Sequence, residues 1–151
     1  RTIMKKLFVF NLQRLLCVVI LLVAGVSFAL AQTNKAWNKD WSGRNSYGDA
    51  RFVLTLNVDK KQALNEFNEA SKCNGFLSVY MVEPSGYQSL LETYELHVQS
   101  VQGNTAVMTF KGGRDIDLGS GTCKAVLKNG RLQLVVTKGS QDVLFNKAQL
   151  K

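Results

Sequence analysis

The chain has 151 residues, 46% of them apolar, with 19 lysines and arginines against 11 aspartates and glutamates, a formal net charge of +8. Four of the basic residues and none of the acidic ones lie in residues 1–31, so the remainder carries fifteen positive against eleven negative charges, or +4. With no Lys/Arg cluster interleaved with aromatics, that excess argues against a nucleic-acid partner, which needs a patch rather than a total.

The N-terminus reads as a secretory signal. Met4-Lys5-Lys6 and Arg14 precede an uncharged run from Leu15 to Ala31, the basic-then-apolar order of a signal peptide. Arg1-Thr2-Ile3 stand upstream of Met4, the expected natural start. The run sits at the short edge of what spans a bilayer, but Ala29-Leu30-Ala31 before Gln32 meets the small-residue rule of signal peptidase. Cleavage is expected after Ala31. That gives a signal peptide at 1–31 and one secreted or periplasmic domain at 32–151 without a membrane span; the alternative is an uncleaved N-terminal anchor on the same domain. Cys17 lies early in the run behind bulky Leu16, unlike a lipoprotein cysteine, and leaves with the signal.

Residues 33–50, "TNKAWNKDWSGRNSYGDA", are polar but hold Trp37, Trp41 and Tyr47, and so read as ordered chain rather than linker. From Arg51 to Asp59 the chain alternates, with Phe52, Leu54, Leu56 and Val58 on one face, the signature of a half-buried strand. In "KKQALNEFNEASK", residues 60–72, the period changes: Ala63, Leu64, Phe67 and Ala70 fall at helical spacing, which predicts one short helix. "GFLSVYMVE" returns to strand composition and ends at Pro84-Ser85-Gly86. Tyr94, Leu96 and Val98 alternate against Thr93, Glu95 and His97. Gly103-Asn104 then turns the chain into Ala106, Met108 and Phe110.

After the glycine-broken "KGGRDIDLGSG", Cys123, Ala125 and Leu127 share a face, and Asn129-Gly130 follows. Asn-Gly between alternating runs is the strongest short hairpin signal, because both central residues of a type I′ turn need positive φ. Leu132, Leu134 and Val136 return on that face, and "DVLFNKAQL" is expected to add a last strand. The sum is a mainly β protein: a single antiparallel β-barrel, or barrel-like sandwich, of about seven or eight strands with one short helix. Closure is favoured because open first and last strands would expose unpaired edges. No internal repeat, low-complexity tract or composition shift marks a second domain, and about 120 residues suffice for one core.

Little of this composition points to catalysis. Cys73 and Cys123 are an even pair in a chain bound for an oxidising compartment, so a disulfide between them is expected, closing a loop of about 50 residues for on the order of 3 to 4 kcal/mol. Two cysteines and one histidine are a poor zinc set, and no cofactor is implied. His97 falls on the polar face with Glu95 and Gln99, and no G-x-S-x-G motif offers it a nucleophile. Asp115 and Asp117 lack the further oxygens and distal glutamate of a calcium loop. Glu92 and Glu95, three apart on a strand, point to opposite faces and do not form a glycosidase pair.

Two resemblances bear on function. "DWSGRNSYGD" before an alternating strand resembles the opening of small secreted bacterial barrels and, more distantly, of lipocalin- and avidin-like barrels. This implies that Trp41 plugs one barrel end and Gly43 permits a close approach of the chain. Asp40 and Asn38 stand where the lipocalin pattern has glycine, so no ligand-binding position carries over.

Ser120-Gly121 and Lys138-Gly139 flank the last hairpin in the order found in periplasmic barrels that inhibit C-type lysozyme, where a serine-glycine loop and a lysine-glycine loop enter the enzyme's cleft. Lys124 stands where that pattern has an aromatic residue. The first expectation is therefore a non-enzymatic binding module for an apolar small molecule or an envelope protein surface. An inhibitor of a lysozyme-like glycosidase, acting through Ser120 and Lys138, comes second and an envelope hydrolase third.

Overall fold

The computed structural model describes residues 16, 18–20, 34–65, 69–112, 119–140 and 142–151. The chain divides into two compact units, Arg1–Lys35 and Ala36–Lys151. In the first, residues 16 and 18–20 are helical and exposed. The rest of the expected signal peptide, with its cleavage point after Ala31, lies outside the described residues, as do Cys17, Asp115 and Asp117. Among the described residues no helix is long and apolar enough to cross a membrane.

The second unit is built from ten strands. They are β1 (Lys39–Arg44), β2 (Ala50–Leu56), β3 (Ala63–Leu64), β4 (Ala70–Ser71), β5 (Gly75–Val82), β6 (Gln88–Gln102), β7 (Thr105–Gly112), β8 (Ser120–Lys128), β9 (Arg131–Lys138) and β10 (Gln149–Leu150). Eight of them form one antiparallel sheet in the order β1-β2-β5-β6-β7-β8-β9-β10, and its outer strands meet. The Ser42 amide donates to the Lys151 carbonyl at 3.1 Å, and the Lys151 amide donates back to the Ser42 carbonyl at 2.9 Å. The sheet is thereby nearly closed into a barrel. At that seam Gly43 leaves no space for a Cβ, which would overlap the Gln149 carbonyl oxygen.

Alternation decides what fills the barrel. Phe52, Leu54 and Leu56 of β2 face inward and are at most 2% exposed, while Val53 and Thr55 between them face out. β6 and β7 repeat the pattern with Tyr94 and Leu96, then Ala106, Met108 and Phe110. Asn129 and Gly130 take φ of 52° and 70°, the two left-handed residues of a type I′ turn, and so set the β8–β9 register that points Cys123, Ala125, Leu132 and Leu134 inward. Near the start of β1, Trp37 and Trp41 are buried, and the Trp41 indole donates to the Trp37 carbonyl at 3.3 Å. Phe145, from the β9–β10 connection, packs edge-on against Tyr94 and Phe110 with ring centroids 4.8 and 5.1 Å away.

Three expectations are corrected. The described part of residues 60–72 is not a helix: Ala63–Leu64 and Ala70–Ser71 pair as a small antiparallel ribbon. Asn65 explains the difference. Its side chain accepts from the Glu69 amide at 2.9 Å, and its own amide donates to the Glu69 carbonyl at 3.1 Å, the kind of local side-chain bonding that competes with a helix. Ala63, together with Cys73, then packs on Phe76 in a satellite cluster.

The last apolar run supplies only the two-residue β10. Val143 and Phe145 are buried in the connection before it, where turn bonds from Asn146 to the Val143 carbonyl and from Ala148 to the Phe145 carbonyl replace a ladder.

Finally, Cys73 and Cys123 are free buried thiols rather than a disulfide. Their even number carried no geometry: Cys123 faces the barrel interior, whereas Cys73 belongs to the satellite cluster.

Candidate functional site

β6, β7, β8 and β9 lie side by side, and their register decides which outward side chains meet. Glu95, Lys111 and Ser120 form one cross-strand row; His97, Thr109, Thr122 and Lys138 form the next. Together these rows border a groove of about 460 Å³ on the outside of the barrel, lined by His97, Lys111, Ser120, Thr122 and Lys138 and floored by Phe110 and two glycines. Ser120 and Lys138, the two residues singled out by sequence, are thus brought into one site. Lys111 and His97 join them, and no spacing in the sequence announced that.

The glycines have a steric role. A Cβ on Gly121 would overlap the Lys138 carbonyl oxygen and stand 2.7 Å from Phe110 Cζ. Gly139 has φ of 108°, and a Cβ there would lie 3.0 Å from the Ser120 carbonyl oxygen. β8 and β9 therefore approach closely where the Ser-Gly and Lys-Gly pairs face each other, next to a register shift between Thr122 and Cys123. The Thr137 hydroxyl donates to the Thr122 carbonyl at 3.2 Å and ties that irregularity down. The flanking Ser120 and Lys138 are exposed.

Charge in the groove is predominantly positive. Among the described residues neither Lys111 nor Lys138 makes an ion pair, while His97 Nε2 lies 3.8 Å from Glu95 Oε2. Glu95 also accepts from the Ser71 hydroxyl at 2.9 Å, which draws it toward the β3–β4 ribbon. Lys124, in place of the aromatic residue of the inhibitor pattern, is exposed two residues beyond Thr122 and adds a further cation to the same outer face.

His97 on β6 and Ser120 on β8 are separated by the whole of β7, about 9.6 Å at the usual strand spacing, and no hydrogen bond joins them among the described residues. Burial pushes the Cys123 thiol up to about 12 and raises that of Cys73 as well, which disfavours the thiolate form that a cysteine nucleophile uses. Glu92 and Glu95 do point to opposite faces, Glu92 being 1% exposed and directed inward. Its Oε1 accepts from the Thr93 amide at 2.8 Å. Among the described residues no cluster of three or more His, Cys, Asp and Glu could hold a metal ion.

A second groove, about 500 Å³, runs beside the Asn129–Gly130 turn between Lys128, Arg131 and Gln149. It is slightly larger, but no hydroxyl-bearing side chain lines it beside its cations. Comparison with protein families, curated proteins and solved structures finds no match to this chain.

Proposed function

We propose that this chain is a non-enzymatic, exported β-barrel module that docks its outer groove onto an acidic protein surface, and that this surface is the catalytic cleft of a lysozyme-like glycosidase, which it inhibits. The observation that carries the reading is that Ser120 and Lys138, on different strands, border one groove where Gly121 and Gly139 let β8 and β9 approach closely. A glycosidase cleft holds two carboxyl groups. An ammonium makes charge-assisted hydrogen bonds to such groups, and a hydroxyl can donate to a second oxygen.

The resemblance of the two dipeptides to lysozyme-inhibiting barrels supports the same partner. A small-molecule role is less well supported, because Phe52, Leu54, Met108 and Phe110, the side chains that would line a cavity, are packed in one core cluster with Trp41 and Phe145. Export is supported by the basic, apolar and A-x-A order of the N-terminus; mass spectrometry of the envelope fraction is expected to find a chain beginning at Gln32.

The test of function is lysis of bacterial cell walls by a C-type lysozyme in the presence of micromolar protein. Inhibition is expected. Lys138→Ala is expected to weaken it by about 1.5 to 3 kcal/mol, the contribution of one charge-assisted hydrogen bond. Wild-type protein that neither slows lysis nor binds the enzyme would remove this reading.

A further inference from the structure

We infer that the groove is a two-cation clamp for a pair of carboxylates, in which Lys111 is a second affinity-determining residue beside Lys138 and Ser120 sits between them. The inference rests on the proposed docking to an acidic cleft and deepens it, since Lys111 belongs to neither dipeptide that carries the inhibitor resemblance.

Its basis is register. Lys111 of β7 stands directly across from Ser120 of β8, and Lys138 of β9 stands across from Thr122. One strand therefore separates the two lysines, with its hydroxyl-bearing side chains between them. Two strand spacings put their backbones roughly 10 Å apart across the sheet. On flexible four-carbon stems the two ammoniums can reach carboxyl groups at the roughly 5 to 9.5 Å separations used by glycosidases. Both lysines are exposed and, among the described residues, neither has an acidic partner. Glu95, the acid in the same row as Lys111, is engaged by the Ser71 hydroxyl at 2.9 Å and lies 3.8 Å from His97.

The clamp predicts that each lysine meets its own carboxylate. Monopositive docking through Lys138 alone predicts that Lys111 is dispensable. Lys124 is the internal control, because it is equally charged and exposed on the same outer face but does not line the groove.

The experiment measures binding of a C-type lysozyme to the full-length protein and to Lys111→Gln, Lys138→Gln and Lys124→Gln, each first shown to melt at the wild-type temperature. A parallel titration with a tetraglutamate peptide follows the Ser120 and Thr122 amides by NMR. Lys111→Gln is expected to weaken lysozyme binding about tenfold or more, as Lys138→Gln does, while Lys124→Gln changes it less than about twofold. The peptide is expected to shift both amides in wild-type protein and not in Lys111→Gln.

Lysozyme binding that depends on Lys138 but is unchanged in Lys111→Gln would overturn the clamp and leave the inhibitor reading standing. Absence of lysozyme binding with Lys111-dependent peptide shifts would keep the clamp and overturn lysozyme as the partner. Absence of both would overturn both.

Discussion

At the residue scale, Gly121 shows how a local steric fact shapes the groove. Its missing Cβ is required by the Lys138 carbonyl, which is backbone held in the β8–β9 ladder, and by the buried Phe110 ring. Gly121→Ala is therefore expected to cost about 1 to 3 kcal/mol in chemical denaturation. Tyr94 makes a prediction of a different kind. Burial, then the charge of Glu92, push its phenol up to about 12, against a lowering influence of the nearby Leu144 backbone, and among the described residues no hydrogen bond of ordinary geometry satisfies the hydroxyl. The folded state thus holds this proton more tightly than the unfolded chain, whose phenol titrates near 10. The corresponding stability is complete below about pH 10 and lost as pH rises through about 12. Cys123, raised by burial from 9.0 to about 12, adds a loss of the same sign. Tyr94→Phe is expected to leave stability at pH 7 nearly unchanged and to flatten the alkaline fall, read as denaturation midpoints between pH 9 and pH 12. Both thiols are expected to resist alkylation in the native protein and to react fully, without reductant, once it is unfolded.

At the scale of elements, legibility followed how local the deciding interactions are. β2 and the β8–β9 hairpin were readable because alternation and the Asn-Gly turn are written in adjacent residues. The ribbon in residues 60–72 was not, because good helix formers there are overruled by the Asn65–Glu69 bonds and by a contact with Phe76, whose position depends on β5. A helix of that length has little stability of its own to oppose them. The site divides the same way. Ser120 and Lys138 were visible as dipeptides in a familiar order, whereas Lys111 and His97 enter the groove through the pairing of β6, β7 and β8, which includes a shift between Val98 and Ser100 that no spacing rule supplies. The inward place of Glu92 follows from the Tyr94–Leu96 alternation, which sets Glu92 on the apolar face and Glu95 on the opposite one. The β9–β10 connection yields the clearest test. Phe145 is fully buried between Tyr94 and Phe110 although it belongs to no strand. Phe145→Ala is expected to cost about 3 to 5 kcal/mol; a loss under about 1 kcal/mol would mean that this connection lies on the surface.

For the whole barrel unit, closure and filling are linked. The reciprocal Ser42–Lys151 bonds and the contact of Gly43 with β10 bring the first and last strands together, and an eight-stranded barrel encloses an interior that side chains can just fill or that can hold one small ligand. Side-chain size decides between these outcomes. Trp37, Trp41, Tyr94, Phe110 and Phe145 are each at most 2% exposed, and Phe52, Leu54, Leu96, Met108 and Leu134 pack in the same cluster. A drug-sized ligand needs about 300 Å³ or more of concave space, and making it here would mean displacing several of these side chains, at about 1.5 to 3 kcal/mol for each one returned to water. An apolar fluorescent probe is therefore expected to show no saturable, competable binding to the native protein. Removing bulk from the middle of the cluster, as in Met108→Ala, opens only a methionine-sized void and is expected to lower stability by about 2 to 5 kcal/mol without creating probe binding. Saturable probe binding to the wild type that a fatty acid displaces, with lysozyme untouched, would return the barrel interior to the leading position and reduce the outer groove to a consequence of strand packing.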